Sequence, residues 1–322
     1  MQIVLRSLIV ACCLALGCGV VQAQSRTSKA AKAAVDWEPV PGYKYRMILG
    51  FNVLIQRAVF EAQAASTARR KPLEVLELEL SMLVHELPPR AVELLRQILI
   101  WVEWDKMEIA PGAEQRAVAV YHPGNNFKHR YAYTSAESFV KSNAVEILTM
   151  KKLCEEHQGD NHRMVLLHEV THAVHHHLFD FDNPTIKLAY KNAMDNLLYQ
   201  GQYASTNHKE YFAEVSCAYF SHLHYKPKTR EELKSYDPVG YHMMELTWGT
   251  PEFIAKAKKI EAEKESIPKL TAARLLLAHK NRVPDGIVAL EALIREYPDT
   301  KAAGIAKKLL EKQTGAAEEP KK

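Results

Sequence analysis

Between residues 45 and 55, apolar side chains recur at every second position: Met47, Leu49, Phe51, Val53 and Ile55. A period of two predicts a strand. The spacing then changes. Apolar residues at 73, 76, 80 and 83 predict a helix over 72–86, and Pro88-Pro89 open a second short helix through Leu95. Residues 98–104 and 117–121 are rich in β-branched and aromatic side chains and predict strands, and 143–148 predicts another short one. After that the pattern is helical almost to the end, with Pro, Gly and Asn at the breaks. The expected class is α+β: a small twisted sheet packed on a helix, followed by a mostly helical C-terminal half.

The two ends read differently. Residues 8–16 form an apolar run too short to span a bilayer, and Val21-Gln22-Ala23 offers small residues for cleavage. Residues 1–23 therefore read as a signal peptide, which implies a secreted or periplasmic protein with no membrane span after its removal. A lipoprotein cut before Cys18 is the alternative address, although Leu14 stands one place too far from that cysteine. Residues 24–142 read as the N-terminal α+β part of one unit and 143–265 as its second part. Residues 266–313 predict three short amphipathic helices, with breaks at 283–286 and 297–300. This unit resembles the helical hairpin of tetratricopeptide-type repeats, which implies a possible protein partner there. Residues 314–322 are a polar, Lys/Glu-rich tail expected to be disordered.

Composition narrows the function. The chain has 42 basic and 38 acidic residues, a formal charge of +4, which gives no electrostatic case for nucleic acid as partner. Of its five cysteines only Cys154 and Cys217 lie beyond the leader, so an oxidising compartment allows one bridge or two thiols. Seven of its 15 histidines fall between 157 and 177. Among them His168-Glu169-Val170-Thr171-His172 is an H-E-x-x-H motif. On a helix, positions i and i+4 share a face, so His168 and His172 can ligate one zinc, with Glu169 beside them as general base. Leu167, Val170, Val174 and Leu178 form the expected apolar stripe, and Asp160 or Asn161 is the expected N-cap. His175, His176 and His177 are expected to be solvated or to sit behind the ligands, and His122 to lie in a loop or line the cleft.

A catalytic zinc needs a third protein ligand. Asn207-His208-Lys209-Glu210-Tyr211-Phe212-Ala213-Glu214 supplies two carboxylates one helical turn apart. Glu210 is the candidate ligand, and Glu214 a candidate acceptor for the free N–H of a ligand imidazole. Asn207-x-x-Glu210 is also a capping box, so Glu210 could instead close its own helix.

Tyr203, Thr206, Asn207, Glu210, Phe212, Ala213 and Glu214, downstream of the H-E-x-x-H, resemble the catalytic-domain pattern of the anthrax lethal factor-like gluzincin metallopeptidases. Here the E-F-F-A-E segment of that family reads Glu210-Tyr211-Phe212-Ala213-Glu214. The resemblance covers about residues 165–220. It implies a zincin-like domain, one catalytic Zn2+ on His168, His172 and Glu210, catalysis by Glu169, Tyr203 as donor to the oxyanion, and a peptide or protein substrate. The Gly that often precedes the second His is Thr171 here, and nothing resembles the toxin's delivery domains. Two other readings stay open: a non-catalytic zinc-binding scaffold, and a zinc amidase acting on cell-wall peptides. Residues 143–148 are read either as the edge strand that holds an extended substrate or as an interior strand.

Overall fold

A computed structural model describes residues 38–106, 117–124, 140–157 and 165–314. The expected signal peptide at 1–23, residues 315–322 of the expected tail and the proposed N-cap at 160–161 lie outside the described residues.

The predicted strand at 45–55 is a hairpin. β1 (Tyr43–Ile48) and β2 (Phe51–Gln56) pair antiparallel, with Ile48 opposite Phe51. Leu49 and Gly50 turn the chain with φ of 51° and 84°, the doubly left-handed turn that matches the twist of a tight hairpin. The Leu49 carbonyl accepts from Arg96 Nε at 3.1 Å, and a Cβ on Gly50 would meet the same guanidinium at 2.7 Å. A two-residue turn preserves the alternation of apolar positions, so the sequence pattern runs through it without a break.

α1 (Arg57–Ala65), α2 (Pro72–Glu86) and α3 (Pro89–Leu95) follow, and then β3 (Leu99–Val102), β4 (Ala119–Tyr121) and β5 (Val145–Ile147). The sheet order is β1-β2-β3-β5-β4, with β2, β3 and β5 parallel and the outer pairs antiparallel. Residues 143–148 therefore form an interior strand, and the edge beyond β5 belongs to β4. Val53, Ile55, Ile100, Val102, Val145 and Ile147 join the main core with Leu76, Leu80 and Leu83 of α2, whereas Leu54, Trp101 and Ala144 form a separate cluster. Burial on both faces explains why the inner strands read as continuous apolar runs.

After α4 (Met150–Glu156) comes α5 (Val165–Phe179), the helix of the H-E-x-x-H motif. Its first turn is anchored by the fully buried Glu79, whose Oε2 accepts the Leu166 N–H at 3.2 Å while Oε1 lies 2.8 Å from His157 Nε2. A carboxylate there meets the partial positive charge of the helix start. Leu167, Val170 and Val174 are buried as expected, but Leu178 is 42% exposed, because it falls in the last turn where the core ends.

α6 (Pro184–Asp195), α7 (His208–Tyr219), α8 (Arg230–Tyr236) and α9 (Pro238–Trp248) complete the main core. Buried Asp237 ties α7, the start of α9 and the segment between α6 and α7 together. Its carboxylate accepts from Tyr211 Oη at 2.6 Å, Tyr199 Oη at 3.2 Å and the Gly240 N–H at 2.8 Å. α10 (Pro251–Ala278) runs through Pro268 without ending, and is a long helix where shorter ones were expected. Ile254 at its start belongs to the main core; Leu270 and Ala273 belong to a second cluster with Leu290, Leu293, Ala302, Ala303 and Ala306 of α11 (Val283–Glu296) and α12 (Lys301–Thr314). Pro284 opens α11 instead of breaking the chain, since a proline in the first turn removes only an N–H that had no intrahelical partner. Cys154 and Cys217 form no disulfide.

Candidate metal centre

α5 and α7 pack against each other, and their contact brings three ligand atoms together. His168 Nε2 and His172 Nε2 are 3.1 Å apart, and Glu210 Oε2 lies 3.2 Å from the first and 3.1 Å from the second. Among the described residues this is the one group of three that could hold a metal ion. The side chains are 12–18% exposed, so the centre is shielded but reachable.

The dimensions and chemistry suit a cation. Atoms bonded at 2.0–2.1 Å to a tetrahedral ion lie about 3.3 Å from one another, close to the observed triangle. His168 Nδ1 is 2.6 Å from Glu214 Oε1, so its proton belongs on that side and Nε2 presents a lone pair to the centre. The electrostatics agree. Burial pulls the His168 pKa down, but hydrogen bonds to Cys217, Glu210 and Glu214 outweigh it and hold the imidazole well above its ordinary value. Burial pushes Glu210 up, yet hydrogen bonds and charge from His168 and His172 hold its carboxyl well below the usual range. The site stabilises positive charge at its middle, whether a proton or a metal ion carries it.

Glu210 resolves the capping-box alternative. Asn207 Oδ1 accepts from the N–H groups of Lys209 and Glu210 at 2.8 and 3.1 Å, while the Glu210 carboxylate meets the imidazoles. Glu214 takes the expected partner, His168. Glu169 is half-buried beside the pair, and its Oε2 accepts the Tyr121 N–H at 2.8 Å. Tyr203 begins a single 3-10 turn, half exposed, with its ring centroid 5.9 Å from that of His168.

Other histidines depart from expectation. His175 is fully buried, with ring centroids 4.8 Å from Phe212 and 5.1 Å from Phe181, and neither ring nitrogen has a hydrogen-bond partner. It lies on the core side of α5, not in solvent. His176 stacks on Phe181 and its Nδ1 is 2.8 Å from Tyr121 Oη. His122 lies in the loop that follows β4, one of its two expected places, and is buried there at 1% exposed.

Three neighbours of the centre were missed by sequence reasoning. Cys217, which bonds His168, could have been found as the next position on the face of Glu210 and Glu214. Tyr225 and Tyr121 could not. The Tyr225 hydroxyl accepts the Ala204 N–H at 3.3 Å and also bonds Glu214, but it follows a loop with no periodicity.

Neither the curated proteins nor the solved structures give a match to this chain. Residues 114–247 match the family model described as anthrax toxin lethal factor, N- and C-terminal domain, and this span holds all of the candidate ligands and Glu169. In this stretch the chain resembles the lethal factor-like family, whose relation to zinc metallopeptidases accords with the geometry of the centre.

Proposed function

We propose that this chain is an exported zinc-dependent metallopeptidase that hydrolyses peptide bonds. The observation that carries the reading is the triangle of His168 Nε2, His172 Nε2 and Glu210 Oε2 at 3.1–3.2 Å, with a carboxylate, Glu169, next to it on the same helix. A purely structural zinc site closes with a fourth protein ligand; no fourth His, Cys, Asp or Glu joins this group among the described residues.

Zinc, when bound by these three residues, supplies Lewis acidity and lowers the pKa of a water molecule to about 7. Glu169 takes the proton that this water gives up and returns it to the leaving amine. The Tyr121 N–H steadies that carboxylate through its other function as a backbone donor. Tyr203 donates its hydroxyl to the developing oxyanion. Glu214 keeps His168 in the tautomer that leaves Nε2 bare. The substrate lies extended along β4. The His122 N–H and the Val118 carbonyl bond inward to Ala144 and Leu148 at the two ends of β5, which turns the backbone of Ala119 and Tyr121 away from β5 and toward α5. The Tyr121 N–H is held there by Glu169, so the groups offered to a substrate are the N–H and carbonyl of Ala119 and the Tyr121 carbonyl. Export is supported by the N-terminal apolar run, and no described helix is long and apolar enough to cross a membrane. The cluster of α10, α11 and α12 is the proposed seat of a protein partner.

The test is metal analysis combined with cleavage of a broad peptide library. One zinc per chain, activity lost on chelation and restored by zinc, is the expected result; a zinc-loaded protein that cleaves no peptide would point to a scaffold or to an amidase. A second expectation concerns Glu214. Glu214→Ala weakens zinc binding by about 10- to 100-fold, the usual cost of losing a carboxylate that orients a ligand imidazole. Competition with a chromophoric chelator measures it, and an unchanged affinity would reduce Glu214 to packing.

A further inference from the structure

Tyr121 and His122 are neighbours in the chain, and alternation along the strand sends their side chains to opposite sides of the sheet. Tyr121 faces α5, where its N–H holds Glu169 Oε2 and its hydroxyl meets His176. His122 enters a buried ionic chain. Its Nε2 is 2.7 Å from Glu146 Oε2, and Lys141 Nζ donates at 2.6 Å to both Glu146 Oε1 and Glu103 Oε1. Tyr43 Oη donates to the same Glu103 oxygen at 2.5 Å. His122, Glu146, Lys141 and Glu103 are at most 3% exposed, and Lys106 Nζ, at the rim, lies 3.9 Å from Glu146 Oε1. The chain thus links the end of β3, the middle of β5 and the end of β4.

Buried ion pairs seldom stabilise more than apolar packing of the same volume, and their best attested use is to fix register. The backbone pairing is short. β4 and β5 share three paired positions, with one further bond at each end, from the Leu148 N–H to the Val118 carbonyl and from the His122 N–H to the Ala144 carbonyl, and a two-residue slide would leave every side chain on its own face of the sheet. Such a slide would carry the Tyr121 N–H about 7 Å from Glu169. It would also break the His122–Glu146 contact, which exists in one register only.

We propose that His122, held by Glu146 and the Lys141–Glu103 pair, is a positioning residue for Glu169: it locks the register of β4 so that the Tyr121 N–H meets the Glu169 carboxylate. The catalytic consequence rests on the reading of Glu169 as general base; the register lock does not. Glutamine can offer an N–H close to the place of imidazole Nε2, and asparagine is too short to reach it. Expected for His122→Asn is a kcat about 10- to 100-fold lower at unchanged zinc content, with KM within about twofold, while His122→Gln recovers most of the loss. The second readout needs no activity. Hydrogen exchange at the Tyr121 amide should quicken about tenfold or more in His122→Asn and not in His122→Gln, with the α2 amides unchanged. If His122→Asn does not fold, Glu146→Leu, which leaves the His122 N–H without its acceptor, is read by the same exchange, and a Tyr121 amide as protected as in the parent overturns the proposal. Equal kcat and equal Tyr121 protection in the Asn and Gln variants overturn it too. A parent protein that binds zinc but cleaves nothing would end the peptidase reading, and the exchange result would still decide the register lock.

Discussion

Glu169→Gln keeps one zinc per chain and loses peptide cleavage by about 10²- to 10⁴-fold in kcat, the range expected when a general base is removed. The substitution is nearly isosteric. The amide oxygen can still accept the Tyr121 N–H, as Glu169 Oε2 does at 2.8 Å, so the edge strand is not released. Metal content is untouched because Glu169 is not among the three converging residues. What disappears is a carboxylate able to hold a proton between the water and the leaving amine. Equal cleavage by parent and variant would remove Glu169 from the chemistry. The companion variant separates metal from base: Glu210→Ala should bind zinc far more weakly, because two imidazoles alone leave half of a tetrahedral shell unfilled. Unchanged zinc affinity in that variant would return Glu210 to the role of a helix cap.

The second large effect is on acid stability and comes from His175. Burial, aided by the positive charges of His208, His172, Lys209 and His176, pulls its pKa down to about 3. The unfolded chain takes up this proton near pH 6.5, and the folded protein does so only near pH 3. Between those values the unfolded state binds more protons, so stability falls as pH falls. No cost arises above about pH 6.5; it grows by about 1.4 kcal/mol per pH unit below it and approaches roughly 5 kcal/mol at pH 3. His175→Leu removes the titrating group and two buried nitrogens that have no partner. Urea unfolding of the metal-free protein at pH 7.5 and 5.0 measures the difference. The variant should gain about 2 kcal/mol on the parent between the two pH values. Parallel losses in both proteins would mean that His175 opens to water and titrates normally.

Much of the candidate site lies within reach of sequence reasoning, because its central part is local. His168, Glu169 and His172 sit within one and a half turns of a single helix, and the 3.6-residue period alone puts both imidazoles on one face. Glu210 and Glu214 follow the same rule on their own helix. The apolar stripe is legible up to its last turn, and fails at Leu178 because only the neighbouring elements determine where the core stops. The hairpin at 43–56 reads as one strand, since a two-residue turn does not disturb a period of two.

What the sequence determined by itself is the set of local geometries: which residues form helices, which side chains share a face, and that two histidines and a nearby glutamate can serve one ion. What only the tertiary structure decided is where those faces go. The packing of α5 on α7 sends the Glu210 carboxylate to the imidazoles and not back to Asn207. The strand order makes β5 interior and gives the edge to β4. The far side of the sheet buries His122 against Glu146, and the core side of α5 closes around His175. The reason is one of range: backbone periodicity fixes neighbours three or four residues apart, whereas contacts between residues 24 to 42 positions apart depend on how whole elements bury their apolar faces against one another.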